Sequence, residues 1–283
     1  MRDFKGKVAV ITGGASGIGY SIARYCAKEG MKVVLVARDQ KRLTETKSEL
    51  ETSGTEVLAM SADVSNERDI ELVAQKTLEK FGAVHLLFNN AGVGIAGPPI
   101  WETTLSDWEW VIKVNLWGVI HGLRVFVPIM LEQDTECHIV NTSSIAGLIS
   151  GPGTAPYNVS KHGVVTLSET LHHELARIQA KIKVSVLLPG AVNTRILDSS
   201  RNRPVELQND PKLEAERHAN YAELEQHKLQ QIGVEGMSPD EVAELVFEAI
   251  RNESFYILTH TWVKDLLKLQ MEDIIEGHIK LIL

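Results

Sequence analysis

Short apolar runs alternate with longer amphipathic segments through the first two thirds of the chain. Residues 8–11 and 184–188 are typical of the apolar runs, and roughly 10–25 residues with helical spacing of apolar positions separate successive runs. Strands that are wholly apolar are buried on both faces, as in a parallel sheet covered by helices. The pattern therefore predicts βαβ units with right-handed crossovers, and hence a doubly wound parallel α/β sheet.

The pattern changes after Pro189-Gly190. Residues 195–235 are polar and charged with scattered apolar positions, which is too weak a pattern for an independent core. A Ser-Pro helix start at Ser238 and an apolar run at 255–258 then predict one more helix and a last strand. We therefore expect residues 1–283 to form a single domain, with 195–235 inserted as a lid and 259–283 as a C-terminal helical tail.

Composition and charge exclude several classes of protein. The 283 residues carry a formal charge of 29 − 37 = −8 and contain no basic run, which argues against nucleic-acid binding. No uncharged apolar stretch reaches the length of a membrane span, and no secretion signal is expected at the start. Cys26 and Cys137 are far apart in the sequence and form no CxxC pair, so two reduced thiols in a cytoplasmic protein are expected.

A glycine-rich segment follows the first predicted strand. Its spacing is Gly13-x-x-x-Gly17-x-Gly19, and helical spacing of apolar residues begins directly after it. Glycine lets the backbone approach a pyrophosphate closely, and a helix N-terminus offers free N–H groups and a positive dipole end. The strand–turn–helix context favours a dinucleotide site over the alternative, an ordinary tight turn.

Tyr157 and Lys161 are four residues apart in a predicted helix and therefore share one face. A nearby cation favours phenolate, so we expect Lys161 to lower the pKa of Tyr157 and to make it an effective acid or base near neutral pH. Tyr157 is the only one of the five tyrosines with lysine at i+4. The alternative is a chance pair on the surface.

Taken together, these motifs resemble the classical short-chain dehydrogenase/reductases over about residues 5–195. The matching pieces occur in the family's order along the chain. They are Thr12-Gly13-x-x-x-Gly17-Ile18-Gly19, Asp63-Val64, Asn89-Asn90-Ala91-Gly92, Asn115, Ser144, Tyr157-x-x-x-Lys161 and Pro189-Gly190. The resemblance implies a Rossmann-type fold of about seven strands with helices on both faces, and oxidoreductase chemistry.

The resemblance also implies catalytic roles. Tyr157 would be the general acid/base, and Lys161 would lower its pKa and bind the nicotinamide ribose. Ser144 would hold the substrate oxygen, and Asn115 would anchor a water on the proton path. Ser143 is the competing serine, but the family places its serine thirteen residues before the tyrosine, which selects Ser144 and leaves Ser143 facing the core.

The cofactor contacts come from the same resemblance. Asp63 would meet the adenine amino group and Asn90 the adenosine ribose, although Asn90 alternatively serves only to satisfy strand ends. Val192 and Thr194 would meet the carboxamide of the nicotinamide. The full expected set is Gly13, Ser16, Gly17, Ile18, Gly19, Arg38, Asp63, Val64, Asn90, Ala91, Gly92, Tyr157, Lys161, Pro189, Gly190, Val192 and Thr194.

The end of the second strand bears on the choice of cofactor. The position where an NAD enzyme usually has a carboxylate looks like Ala37, and Arg38 follows it. A 2′-phosphate needs a cationic partner, so NADP(H) is favoured over NAD(H). Two observations weaken that preference. Asp39 follows Arg38 directly, and Ala15-Ser16 stands where many NADP-dependent relatives carry a cation.

The expected function is interconversion of an alcohol and a ketone or aldehyde by an NADP(H)-dependent enzyme, on a small hydrophobic or aromatic molecule. The alternatives are an NAD-dependent dehydrogenase, a lyase or epimerase on the same fold, and a catalytically silent dinucleotide sensor or scaffold. His172-His173-Glu174 lacks the i, i+4 histidine pair of a zinc helix, so no metal is expected. The resemblance further implies a homodimer or homotetramer, and the composition predicts no nucleic-acid or membrane partner.

Overall fold

A computed structural model describes residues 1–95, 97–217, 219–222 and 236–279, and its centre is one seven-stranded sheet. All strands are parallel, in the order β3-β2-β1-β4-β5-β6-β7. The strands are β1 Val8–Thr12, β2 Lys32–Ala37, β3 Val57–Ser61, β4 Leu86–Asn89, β5 Cys137–Thr142, β6 Ile182–Leu188 and β7 Tyr256–Leu258. The predicted doubly wound, Rossmann-type sheet is confirmed.

Helices cover both faces of this sheet. The helices are α1 Gly17–Lys28, α2 Gln40–Thr52, α3 Glu67–Phe81, α4 Leu105–Ile112, α5 Gly118–Gln133, α6 Ala155–Arg177, α7 Pro239–Asn252 and α8 Val263–Glu276. On one face Ile22 of α1 and Phe247 of α7 are fully buried against the sheet, and on the other Phe126 and Met130 of α5 are. The apolar positions of these helices thus pack into cores on the two faces of the sheet, as burial of an amphipathic face requires.

The order of the strands creates a crevice at one edge of the sheet. Strand β1 pairs with β2 on one side and with β4 on the other, so the chain turns in opposite directions from these neighbouring strands. Loops that follow the carboxyl ends of strands diverge at such a point and leave room for a ligand. The glycine-rich segment after β1 opens into this crevice.

The helical stretch Leu105–Gln133 is, among the described residues, long and apolar enough to cross a membrane. It comprises α4, a π-helical turn at Lys113–Trp117 and α5. Trp110, Val111, Phe126 and Met130 of this stretch are buried in the core beneath the sheet. A core helix with this composition passes the same test of length and hydropathy, so the stretch by itself does not indicate a span.

The inserted segment begins with two short 3-10 helices, Ile196–Asn202 and Val205–Leu207. Residues 211–217 are helical, in agreement with Pro211 as a first-turn residue. Much of the predicted lid, residue 218 and 223–235, lies outside the described residues. The predicted tail forms α8, and its last four residues, 280–283, also lie outside them.

Candidate active site

A cavity of about 750 Å³ lies at the carboxyl ends of the strands. The segments that follow β1 through β6 all contribute to its wall. Nearly all of the expected site residues line it: Gly13, Ser16, Gly17, Ile18, Arg38, Asp63, Val64, Asn90, Ala91, Gly92, Ser144, Tyr157, Lys161, Pro189, Gly190, Val192 and Thr194. Gly19 and Asn115 do not line it, and both lie just behind the wall.

The glycine-rich segment forms a cradle that has no room for side chains. Gly13 and Gly17 have φ of +67° and +53°, a conformation that favours glycine. A Cβ on Gly13 would lie 3.0 Å from Cα of Ala91, and one on Gly19 would collide with the carbonyl of Gly13. The side chain of Ser16 does not cap α1, so the N-terminus of this helix faces the cavity with backbone N–H groups exposed. These features fit a dinucleotide pyrophosphate.

Thr12 fixes the turn after β4. Its Oγ1 accepts hydrogen bonds from the backbone N–H of Asn90 (2.9 Å) and of Ala91 (3.0 Å). The side-chain Nδ2 of Asn90 donates to the carbonyl oxygen of Thr12 (3.0 Å). Asn90 therefore hydrogen-bonds the last carbonyl of β1, as the structural alternative predicted, and it also lines the cavity. Thr12 belongs to the quoted motif, but its role in shaping this turn was not predicted.

Ser144, Tyr157 and Lys161 converge at the end of β5. Ser144 follows the strand in extended backbone, and its Oγ donates to the carbonyl oxygen of Pro189 (3.4 Å). The ammonium of Lys161 donates to the carbonyl oxygen of Thr142 (3.0 Å) and lies 5.5 Å from the centre of the Tyr157 ring. The competing Ser143 is buried, with Oγ donating to the carbonyl oxygen of Lys161 (2.8 Å).

Burial shifts the pKa values of both titratable groups in this cluster. Desolvation raises the pKa of Tyr157, and its hydrogen bond with Ser144 offsets part of the rise. Desolvation lowers the pKa of Lys161 from 10.5 to about 8. The expectation that Lys161 brings the pKa of Tyr157 below its usual value is therefore corrected, because burial disfavours the phenolate more than neighbouring groups favour it.

Asn115 lies in the π-helical turn between α4 and α5. Its Oδ1 accepts from the backbone N–H of Val93 (2.8 Å), and its Nδ2 donates to the carbonyl of Val93 (2.9 Å) and to Oγ of Ser160 (3.2 Å). Asn115 thus connects the segment after β4 to α6 at Ser160, which lies between Tyr157 and Lys161 in the sequence. A π-helical turn of this kind is rare and is often found at functional sites. A Cβ on Gly92 would lie between Asn115 and Lys161, 3.4 and 3.5 Å away.

The opposite end of the cavity contains several cations and carboxylates. Arg38 forms an ion pair with Asp63 (3.4 Å) and donates to the backbone carbonyl of Asn202 (2.9 Å). Asp39 caps α2 and pairs with Arg42 (3.5 Å). Burial and the neighbouring cations, among them Arg42, lower the pKa of Arg201. Arg42 and Arg201 both line the cavity and were not predicted; the insert that carries Arg201 has no motif that could have identified it.

A buried ion cluster holds the inserted segment against α4. Asp107 is fully buried and pairs with Arg203 (2.7 Å) and Arg217 (3.1 Å). Although burial alone raises it, hydrogen bonds from Asn209, Arg203 and Thr104 keep the pKa of Asp107 below its usual value. Nearer the cavity, Ser199 Oγ accepts from the backbone N–H of Gly94 (3.0 Å). None of these contacts was predicted, since the partners are about 100 residues apart.

Acidic, histidine and cysteine side chains do not form a metal centre in the part of the chain that the structure describes. Cys26 and Cys137 are buried as free thiols. Burial raises the pKa of both thiols, which makes them poor nucleophiles and metal ligands.

Comparison with known proteins gives consistent matches. The family model described as short chain dehydrogenase matches residues 7–204. A CLA biosynthesis dehydrogenase/reductase of Lactiplantibacillus plantarum is 36% identical over 262 residues, which cover 92% of this chain and 90% of that protein. A C alpha-dehydrogenase of Sphingobium sp. strain SYK-6 is 32% identical over 279 residues, covering 98% and 88%. The crystal structure of a short chain dehydrogenase/reductase from Burkholderia phymatum in complex with NAD has a TM-score of 0.92 and 43% identity, covering 99% and 98%.

Proposed function

Because the chain belongs to the short-chain dehydrogenase/reductase family and is an NAD(P)-dependent oxidoreductase, we propose that it interconverts an alcohol and a ketone or aldehyde with NADP(H). The observation that carries this proposal is the meeting of Ser144, Tyr157 and Lys161 beside the glycine cradle, in one cavity. A silent dinucleotide sensor has no need of a buried tyrosine and lysine together. Their burial costs free energy, and a catalytic role accounts for it.

The proposed proton chemistry centres on Tyr157. In the direction of reduction its hydroxyl donates a proton to the carbonyl oxygen of the substrate, and in oxidation it takes the proton back. Ser144 holds the same oxygen by a hydrogen bond, and Asn115 anchors a water that continues the proton path from Lys161. Bound in the cavity, the dinucleotide would supply or accept the hydride, with Lys161 holding its nicotinamide ribose.

NADP(H) is proposed over NAD(H) because of the charges at the adenosine end. Ala37 supplies no carboxylate at the end of β2, whereas Arg38, Arg42 and Arg201 line the cavity there. A phosphate with a charge near −2 would gain charge-assisted hydrogen bonds from these guanidinium groups. NAD(H) is the second candidate, since the Burkholderia phymatum structure is in complex with NAD.

The substrate is proposed to be a hydrophobic or aromatic molecule. The cavity wall includes the apolar side chains of Val93, Val192 and Ile196 together with Ser199. Apolar walls with a few polar groups are typical of sites that bind small hydrophobic ligands. We further propose that the inserted segment acts as a lid, which closes over the substrate and excludes water from the reacting atoms.

A cytoplasmic homodimer or homotetramer is proposed as the working form. Trp117 and Leu131 of the α4–α5 stretch, and Val159 and Ile178 at the two ends of α6, are exposed apolar side chains. Two long helices of this kind can each meet their own copy about a two-fold axis. Light scattering at micromolar concentration should give a multiple of 31.3 kDa, and a monomer would contradict the proposal.

The proposed reaction is tested with a panel of hydrophobic ketones, aldehydes and their alcohols. Oxidation of NADPH or NADH is followed by absorbance with each carbonyl compound, and reduction of NADP⁺ or NAD⁺ with each alcohol. We expect turnover of bulky apolar compounds, with kcat/KM higher for the phosphorylated cofactor. Tight dinucleotide binding without turnover of any compound would favour the sensor, and higher kcat/KM with NAD(H) would favour the second candidate.

A further inference from the structure

The peptide group between Pro189 and Gly190 connects the catalytic serine to the last strand of the sheet. Its carbonyl oxygen accepts hydrogen bonds from the backbone N–H of Ile145 (3.0 Å) and from Oγ of Ser144 (3.4 Å). Its N–H, on the opposite edge, donates to Oγ1 of Thr259 (3.0 Å). A peptide group is rigid and planar, so its carbonyl and N–H can only rotate together.

Thr259 is held firmly in this position. It directly follows β7, which pairs with β6 in the register Leu188–Leu258, and its side chain is buried. Its Oγ1 also lies 2.7 Å from Nδ1 of His260. The ring of His260 covers Gly190 so closely that a Cβ on this residue would lie 2.7 Å from Nδ1. A side chain at this position would therefore displace the ring of His260, and the ring leaves the peptide little room to turn.

We infer that Thr259 is a positioning residue, which fixes the Pro189–Gly190 peptide and thereby aims the hydroxyl of Ser144 at the substrate oxygen. The inference rests on the proposed function, since it takes Ser144 as the group that holds the substrate. Ser144 has a single proton to donate, and the carbonyl of Pro189 at 3.4 Å is a long, weak acceptor for it. If the peptide could rotate, the carbonyl of Pro189 would move closer to Ser144 or away from it. In either case the hydroxyl of Ser144 would no longer be held in one direction.

Three single variants separate positioning from packing. Thr259→Val keeps the size and branching of the side chain but leaves the N–H of Gly190 without its acceptor. We expect kcat to fall about tenfold, the effect of losing one buried hydrogen bond. Thr259→Ser keeps the hydroxyl and should restore kcat to within about twofold of the wild type. Thr77→Val removes an equally buried threonine hydroxyl in α3, far from the site, and should leave kcat unchanged.

A double variant tests whether the effect acts through Ser144. In a Ser144→Ala background the aimed hydroxyl is already absent, so Thr259→Val should lower the residual kcat by less than about twofold. A further tenfold loss in that background would overturn the inference. So would a Thr259→Ser variant that is as slow as Thr259→Val, because the hydroxyl would then not be the feature that matters.

Amide hydrogen exchange, read by NMR, tests the same inference without any turnover. We expect Thr259→Val to speed exchange at the amide of Gly190, which donates to Thr259, and at the amide of Ile145, which donates to the carbonyl of Pro189. Thr77→Val should leave exchange at both amides unchanged. Unchanged exchange at both amides in Thr259→Val overturns the inference whatever the kinetics. If exchange rises as expected but no compound in the panel is turned over, the positioning of the peptide stands and the proposed reaction fails.

Discussion

Arg38 at the end of β2 forms an ion pair with Asp63, two residues beyond the end of β3, with 3.4 Å between Nη1 and Oδ2. Asp63 also accepts hydrogen bonds from the backbone N–H and the hydroxyl of Ser65 (2.9 and 2.7 Å), which hold its carboxylate in place. The guanidinium therefore lies at the wall of the cavity with its charge partly balanced. A 2′-phosphate would meet a cation that is already positioned, in competition with one carboxylate.

The first prediction concerns Arg38. Arg38→Ala should weaken NADP(H) binding by about 10–150-fold, the effect of removing a charge-assisted partner worth about 1.5–3 kcal/mol. NAD(H) binding should change little. Fluorescence titration with both cofactors measures this. Arg124→Ala, which removes an exposed arginine paired with Glu67, is the control. An equal loss of affinity for the two cofactors would mean that Arg38 is only a surface charge.

The second prediction concerns the ion cluster beneath the insert. Asp107→Asn removes the carboxylate that pairs with both Arg203 and Arg217 and leaves Arg217 with Glu214, so the contact between the insert and α4 should weaken. Amides in 196–217 should exchange about tenfold faster or more, because each 1.4 kcal/mol of lost local stability is a factor of ten. KM for the substrate should rise, and affinity for NADP(H) should fall as well, because the same segment carries Arg201.

Hydrogen exchange with and without NADP(H) and a product analogue extends this measurement to the lid. In the wild type, protection of 196–217 should increase on binding, and in Asp107→Asn the increase should be smaller. Asp265→Asn, at an exposed position in α8, should behave as the wild type. Equal protection in the two states of the wild-type protein would indicate a segment that is permanently docked and would rule out the lid.

The third prediction concerns pH and stability. Burial lowers the pKa of His138 from 6.5 to about 3, and its Nε2 lies 2.8 Å from Ser185 Oγ. Below pH 6.5 the unfolded chain takes up a proton on this histidine that the folded chain does not. The free energy of unfolding therefore decreases as the pH falls from 6.5 to about 3, and above pH 6.5 this group causes no loss of stability.

His138→Gln should remove this loss of stability, which amounts to about 2 kcal/mol at pH 5. The free energy of unfolding, measured in guanidinium chloride at pH 7 and pH 5, should decrease less in the variant than in the wild type. His173→Gln, at an exposed position, is the matched control. The same decrease in wild type and His138→Gln would show that the imidazole of His138 is protonated in the folded protein.

The sequence was sufficient for the sheet and for the glycine cradle. Wholly apolar strands such as 8–11 have one stable environment, a sheet covered on both faces, and the glycine spacing defines the cradle after β1. The family resemblance selected Ser144 over Ser143; both serines line the cavity, and Ser143 also donates to the carbonyl oxygen of Lys161. Motifs of this kind are local, so they can be recognised without tertiary contacts.

What the sequence did not predict depends on contacts between distant residues. Asp107 and Arg217 are 110 positions apart, and no pattern in either segment indicates that they meet. The i+4 spacing alone predicted a lowered pKa for Tyr157. Burial is a tertiary property, and it raises this pKa more than any other influence. Thr259 and Gly190 likewise become neighbours only when β7 pairs with β6.

The most direct test of the account is the turnover of Tyr157→Phe on the best compound of the panel, measured together with its affinity for NADP(H). The ring and its packing remain and only the transferable proton is lost, so kcat should fall by about 10²–10⁴-fold while the dissociation constant of the cofactor stays within about threefold. Tyr20→Phe, which removes a phenol from the opposite end of the same cavity, should keep the wild-type kcat. A kcat near the wild-type value in Tyr157→Phe would contradict the assignment of Tyr157 as the acid/base.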